Sequence, residues 1–205
     1  MEMAFKPFKR LRRGCMLTNK LKAFSLFPAV FSFVIDNKLR RILENMDRKM
    51  IPMGVKPGMK VLEIGCGSGF VTEFLSNAVG DAGFVISIDV QENMIKKAKK
   101  KRAHLKNVEF LIQDVSDLNT VKDEAIDLAF CYYSFHEVSD KEKAVSELLR
   151  TLKHGGLLSI KEPKLRVKEK YVRSHKEFIA GKGFRFVESI KKCDFLGCYL
   201  KFVKD

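Results

Sequence analysis

The feature that most restricts this chain is a run of alternate glycines. Lys60-Val61-Leu62-Glu63-Ile64 is apolar and β-branched, Gly65-Cys66-Gly67-Ser68-Gly69 follows, and residues 70–79 then take up helical spacing. Strand, glycine turn and helix in that order build a ligand cradle, because glycine accepts positive φ and lets a ligand lie against bare backbone. NAD, FAD and phosphate sites share such a turn. Two details separate them here. The third glycine of a dinucleotide fingerprint is replaced by Phe70, and Glu63 sets a carboxylate beside the loop. A carboxylate there repels a pyrophosphate and suits a ligand carrying an ammonium and a sulfonium.

The rest of the chain repeats the alternation. Strands are expected over 60–64, 84–88, 108–112, 126–131 and 157–161, and helices over 70–79, 91–104, 140–153 and about 174–180. Ser139 and Glu142 read as a capping box at the start of the helix over 140–153, with Gly155 or Gly156 ending it. Regular alternation implies right-handed crossovers and a parallel sheet covered on both faces. Two final strands, near 184–191 and 198–203, are too close for a crossover and should pair antiparallel. The expected fold is therefore α/β: a mostly parallel seven-stranded sheet closed by an antiparallel C-terminal hairpin, with helices on both faces. Composition shifts near Pro57-Gly58. Before it, Ile35, Leu39, Ile42, Leu43 and Met46 recur at helical spacing, so residues 1–55 are expected to form a basic, apolar helical extension or lid and 56–205 the ligand-binding domain.

Asp89 stands at the tip of the second strand, 24 residues beyond Gly65, where an acid accepts from ribose hydroxyls; the alternative is a carboxylate capping the next helix. Asp114, just past the third strand, can accept from the exocyclic amine of adenine, with Val115 and Met94 sandwiching the ring; the alternative is a solvated turn residue. Glu63, Asp89 and Asp114 thus fall at the carboxyl ends of three successive strands, the rim where open α/β sheets bind ligands.

With these motifs in place, residues 55–203 resemble the class I S-adenosylmethionine-dependent methyltransferases of Rossmann-like fold, in the branch that includes ubiquinone/menaquinone-biosynthesis enzymes. The likeness rests on Val61 to Gly69, Asp89, Gln113-Asp114-Val115, Cys131-Tyr132-Tyr133-Ser134-Phe135-His136-Glu137-Val138 and Leu152-Lys153-His154-Gly155-Gly156-Leu157. The resemblance implies that S-adenosyl-L-methionine is the methyl donor. Glu63 and the backbone of Gly65, Cys66, Gly67 and Gly69 would hold its methionine moiety, Asp89 with Val90 its ribose, and Asp114, Val115 and Met94 its adenine. Backbone near Cys131 and Tyr132 would meet the methionine end. The acceptor is expected to be small or lipid-like, with RNA methylation and nicotinamide-dependent oxidoreduction as rival readings.

Methyl transfer from a sulfonium needs in-line positioning and, for some acceptors, removal of a proton. His136 is the candidate general base, the alternative being a histidine that only fixes its loop. Tyr132 and Tyr133 either line the acceptor pocket or pack the rim. After strand four there is no Asn/Asp-Pro-Pro-Tyr/Phe, Glu162-Pro163 alone does not make a paired-glutamate site, and no acids or His/Cys residues fall at metal-ligand spacing.

The formal net charge of +14 favours anionic partners without choosing among nucleic acid, lipid and small molecules. Lys96 to Arg102 reads as a solvated helix face. The basic stretch from Lys161 to Lys176 lies nearer the rim and is either solvated or turned to an anion. Residues 1–35 join a basic stretch to an apolar run interrupted by Pro28, too short to span a bilayer and lacking a cleavage site, which suits a lid or peripheral membrane contact better than a secretion signal. Cys15, Cys66, Cys131, Cys193 and Cys198 form no CxxC pair and are expected as reduced thiols of a cytoplasmic protein.

Overall fold

A computed structural model describes residues 46, 50–163, 169–189 and 197–205. The lid expected from the N-terminal extension falls almost wholly outside them. So do Cys15, Cys193 and residues 164–168 of the basic stretch from Lys161 to Lys176.

The elements run β1 (Lys60–Ile64), α1 (Phe70–Val79), β2 (Phe84–Asp89), α2 (Glu92–Lys101), β3 (Val108–Ile112), β4 (Ile126–Tyr132), a 3-10 turn (Phe135–Glu137), α3 (Lys141–Thr151), β5 (Leu152–Pro163), α4 (Glu169–Ala180), β6 (Phe184–Ser189) and β7 (Gly197–Lys204). They make one seven-stranded sheet in the order β3-β2-β1-β4-β5-β7-β6. β1 pairs parallel with both β2 and β4, β2 with β3, and β4 with β5. β7 runs antiparallel between β5 and β6, which bears out the expected closing hairpin.

Strand alternation divides the core between the two faces. Leu62, Ile64, Ala129, Cys131, Leu158 and Ile160 meet Ala144, Val145 and Leu148 of α3 and Ile179 of α4. Val61, Val85, Leu128, Phe130 and Tyr132 meet Phe70, Val71, Leu75 and Val79 of α1 on the opposite side. Because both faces are covered, the central strands read as unbroken apolar runs. Met46, Met50, Met53 and Val55, from beyond the Pro57-Gly58 composition shift, are buried in the α1-side cluster. Ser159 Oγ donates to Met53 O at 2.5 Å and ties that segment to β5.

Two local expectations are corrected. The N-cap of α3 is Asp140, whose carboxylate accepts from Lys143 N at 3.1 Å, so the Ser139–Glu142 box does not form. Gly155 and Gly156 lie inside β5, because α3 stops at Thr151 and Leu152 turns straight into the strand with extended dihedrals. Residues 152–156 run on as strand because Leu152 pairs with Ile126, across an irregularity that shifts the register before Leu128 meets Leu157.

Candidate functional site

Strand order reverses at β1. The chain leaves it toward β2 and β3 on one side and returns to β4 and β5 on the other. Crossovers on opposite faces leave a crevice at the carboxyl end of the reversing strand, and open α/β sheets bind ligands there. The glycine loop fills that place.

The loop is held by β2. Gly65 N and Cys66 N both donate to Ile88 O, at 2.9 and 3.0 Å. Asp89 Oδ2 accepts from Gly67 N at 2.9 Å, and its Oδ1 accepts from Gln91 N at 2.8 Å. Burial pushes the Asp89 carboxyl above its usual range, opposed by those two backbone donors. Asp89 therefore braces the loop and the segment leading into α2 while staying at the rim; the N-cap of α2 is Gln91, and no side chain caps that helix.

Glycine is demanded at Gly65 and Gly67 for different reasons. Gly65 has φ 72°, and a Cβ there would stand 2.5 Å from Ser134 Cβ. Ser134 also donates its Oγ to Ile64 O at 2.6 Å, joining the segment after β4 to the end of β1. Gly67 has φ 55°, and nothing lies within 4 Å of where its Cβ would be. Its bare backbone faces open space.

Glu63 lies beneath this loop. Its Oε2 accepts from Thr72 Oγ1 of α1 at 2.6 Å and from Ser87 Oγ of β2 at 2.7 Å. Burial pushes its carboxyl up to about 7, opposed by the two hydroxyls and raised further by the neighbouring charge of Asp89. A carboxyl poised there ionises readily when a cation arrives. Cys66 turns its side chain away from the loop, into a small cluster with Ile95, Ala98 and Phe110, and burial pushes its thiol up.

Toward β3, Gln113 N donates to Asp89 O at 3.1 Å, which sets Asp114 close beyond the tip of β2. Asp114 is exposed, and its Oδ1 accepts from Ser116 N and Ser116 Oγ, both at 2.8 Å. Met94 and Val115 are buried, while Val90 is 44% exposed at the carboxyl end of β2. Cys131 and Tyr132 are buried on opposite faces of β4, leaving their backbone at the rim. Tyr132 stacks with Phe130 at 6.2 Å and sits 4.5 Å from the ring of Tyr133, so it packs the rim. Tyr133 adopts φ 61°, a left-handed backbone that costs a non-glycine residue free energy and collects at functional sites.

Three contributors escape the sequence reading. Arg102 was expected on a solvated face, yet its Nε donates to Gly69 O at 2.8 Å and pairs with Glu73, with its side chain only 10% exposed. The lysines before it conform better: Lys96, Lys99, Lys100 and Lys101 are exposed. Lys161, opening the second basic segment, is buried, with its ammonium 5.1 Å from the Tyr132 ring centroid. Glu162 is buried as well, with its Oε2 2.6 Å from His136 Nδ1. A pairing between the segment after β4 and the end of β5 leaves no local signature in sequence. Cys66, Cys131 and Cys198 take part in no disulfide, and no metal-holding cluster occurs among the described residues. Nor is any described helix long and apolar enough to cross a membrane.

Comparison with known proteins agrees with this geometry. A family model described as a methyltransferase domain matches residues 55–192. A demethylmenaquinone methyltransferase of Staphylococcus aureus is 39% identical over 111 residues, covering 54% of this chain and 46% of that protein. The chain thus matches about half the length of that curated relative. A crystal structure of an S-adenosylmethionine-dependent methyltransferase from Aquifex aeolicus superposes with TM-score 0.79 and 28% identity, covering 88% of this chain and all of that one. A Pyrococcus horikoshii protein, at TM-score 0.68 and 18% identity, shares the fold over 88% of this chain and all of that one. The chain belongs to the methyltransferase-domain family and has the class I S-adenosylmethionine-dependent methyltransferase fold.

Proposed function

We propose that this protein transfers a methyl group from S-adenosyl-L-methionine to a small, quinone-like aromatic acceptor. One observation carries the donor half of the reading: Gly67 presents bare backbone to open space while Asp89 grips its N–H from below. The donor fits these residues. Glu63 and the Gly65–Gly69 backbone would hold its methionine end, Asp89 and Val90 the ribose, and Asp114 the adenine amine over a floor of Met94 and Val115. Bound there, the donor supplies an electrophilic methyl on a cationic sulfur. The protein's part is to place the acceptor in line with that methyl and to exclude water.

The acceptor class comes from the relatives named demethylmenaquinone methyltransferase. A lipid-tailed acceptor also gives the basic and apolar residues 1–35 a role, as the part of the chain that would meet a membrane surface. Calorimetry with S-adenosylmethionine, followed by mass spectrometry of demethylmenaquinol incubated with a methyl-deuterated donor, tests both halves. Heat of binding and a product three deuteriums heavier are expected. Absence of binding heat overturns the reading, and methylation of RNA in place of the quinol overturns the acceptor.

A further inference from the structure

Buried Glu162 and half-buried His136 are polar residues that the donor site does not use. Glu162 lies near the end of β5, and His136 in the 3-10 turn after β4. Ser134, two residues before His136, links that turn to the end of β1. His136 Nδ1 and Glu162 Oε2 are 2.6 Å apart. An ionised carboxylate only accepts, so the short contact puts the imidazole proton on Nδ1 and leaves the lone pair on Nε2. His136 Nε2 and Glu162 Oε1 are both shut from solvent and have no hydrogen-bond partner. Buried acceptors left without donors are costly and rare. Two of them in one pair, with the Glu162 side chain only 6% exposed, mark a place where a donor arrives with a ligand.

The other titratable groups nearby leave Nε2 unpaired. Glu137 Oε1, in the same turn, stands 3.8 Å from it. Lys141 of α3 senses the charge of Glu162, but its Nζ donates to Val138 O at 2.6 Å. Burial pushes the thiol of Cys131 in β4 up, and the charge of Glu162 raises it further. His175 of α4 meets Phe135 edge-on.

We propose that His136 and Glu162 form the proton-accepting dyad for a hydroxylated aromatic acceptor, with His136 Nε2 as the base and Glu162 as a positioning residue. The inference rests on the methyl-transfer reading above. The acceptor O–H bond breaks and its proton passes to Nε2. The electron pair left on oxygen, delocalised through the ring, forms the new carbon–methyl bond, while the methyl's bond to sulfur breaks with its pair staying on sulfur. The substituted carbon then loses its hydrogen as a proton to water, the ring regains aromaticity, and His136 returns its proton to the oxygen. Glu162 holds the imidazole in the Nδ1–H tautomer and balances the imidazolium charge.

The full chain is tested with methyl-deuterated S-adenosylmethionine and 1,4-dihydroxynaphthalene as probe acceptor. His136→Gln and Glu162→Gln should each lower kcat about 10²- to 10⁴-fold while donor affinity by calorimetry stays within about twofold. Glu162→Asp should recover part of the rate, and the acid limb of the wild-type pH profile should vanish in His136→Gln. Nitrogen-15 NMR of histidine-labelled protein should find the proton of His136 on Nδ1 in the wild type and lose that preference in Glu162→Gln, a readout independent of turnover. Wild-type rates and pH profile in both glutamine variants, or an Nε2–H tautomer in the wild type, would overturn the dyad while leaving the methyl-transfer reading intact. A wild type that binds no S-adenosylmethionine would overturn both.

Discussion

At the scale of single residues, Gly65 and Gly67 separate folding from binding. Alanine at either must adopt left-handed backbone, which costs about 1–2 kcal/mol. At Gly65 the new methyl also meets Ser134, whose own bond to Ile64 O fixes it in place. Gly65→Ala should therefore lower the melting temperature more than Gly67→Ala. The methyl of Gly67→Ala projects into open space where the donor is expected, so calorimetry should show donor affinity weakened at least tenfold for a smaller loss of stability. Glu63 makes a prediction about pH. Burial pushes its carboxyl up to about 7 in the fold from an ordinary 4.5, so between those values the folded state holds a proton that the unfolded chain has released. Stability contributed by this group is complete below pH 4.5 and declines by about 3 kcal/mol as pH rises through 7. Glu63→Gln keeps an oxygen for Thr72 and Ser87, and should flatten that decline in denaturant titrations across the window. It should also abolish a tightening of donor binding as pH rises through 7, because the cationic donor loses its ionised partner.

Among the elements, α3 shows how a cap is chosen. Ser139 and Asp140 are adjacent candidates for the same task, and spacing to Glu142 favours the first. The structure uses Asp140, because the first turn begins at Lys141 and its free N–H groups face that carboxylate. Asp140→Ala should cost about 1 kcal/mol in chemical denaturation, and Ser139→Ala much less. Arg102 illustrates the converse. It sits at the end of a cationic helix and looks in sequence like one more solvated charge. The return from α2 brings it over Gly69, where it steadies the carbonyl at the start of α1. Arg102→Ala should weaken donor binding several-fold by loosening the loop, whereas Lys100→Ala, on the exposed face of the same helix, should leave calorimetry unchanged.

For the whole molecule, the sheet's reversal at β1 gathers the proposed donor site from residues that are distant in the chain. Glu63, Asp89 and Tyr132 lie at or next to the ends of β1, β2 and β4, Asp114 lies just past β3, and parallel pairing aligns those ends on one edge. The same packing draws in Met46, Met50, Met53 and Val55, so the α1 side of the core extends across the Pro57-Gly58 shift. A chain begun at residue 56 loses four buried apolar side chains. It should melt well below one begun at residue 46, by calorimetric scan, since emptying a single buried methionine site costs about 2–5 kcal/mol.

The sequence by itself determined the alternation of strand and helix, the antiparallel finish, and the glycine loop with its flanking acids. These are local patterns, in which a residue and its near neighbours carry the whole signal. Only the tertiary structure decided that Asp89 braces the loop, that Thr72 and Ser87 clasp Glu63, and that Glu162 meets His136 across two strands. Burial and pairing between distant segments depend on sheet order, and sheet order sets which side chains must share a low-dielectric interior and find their partners there.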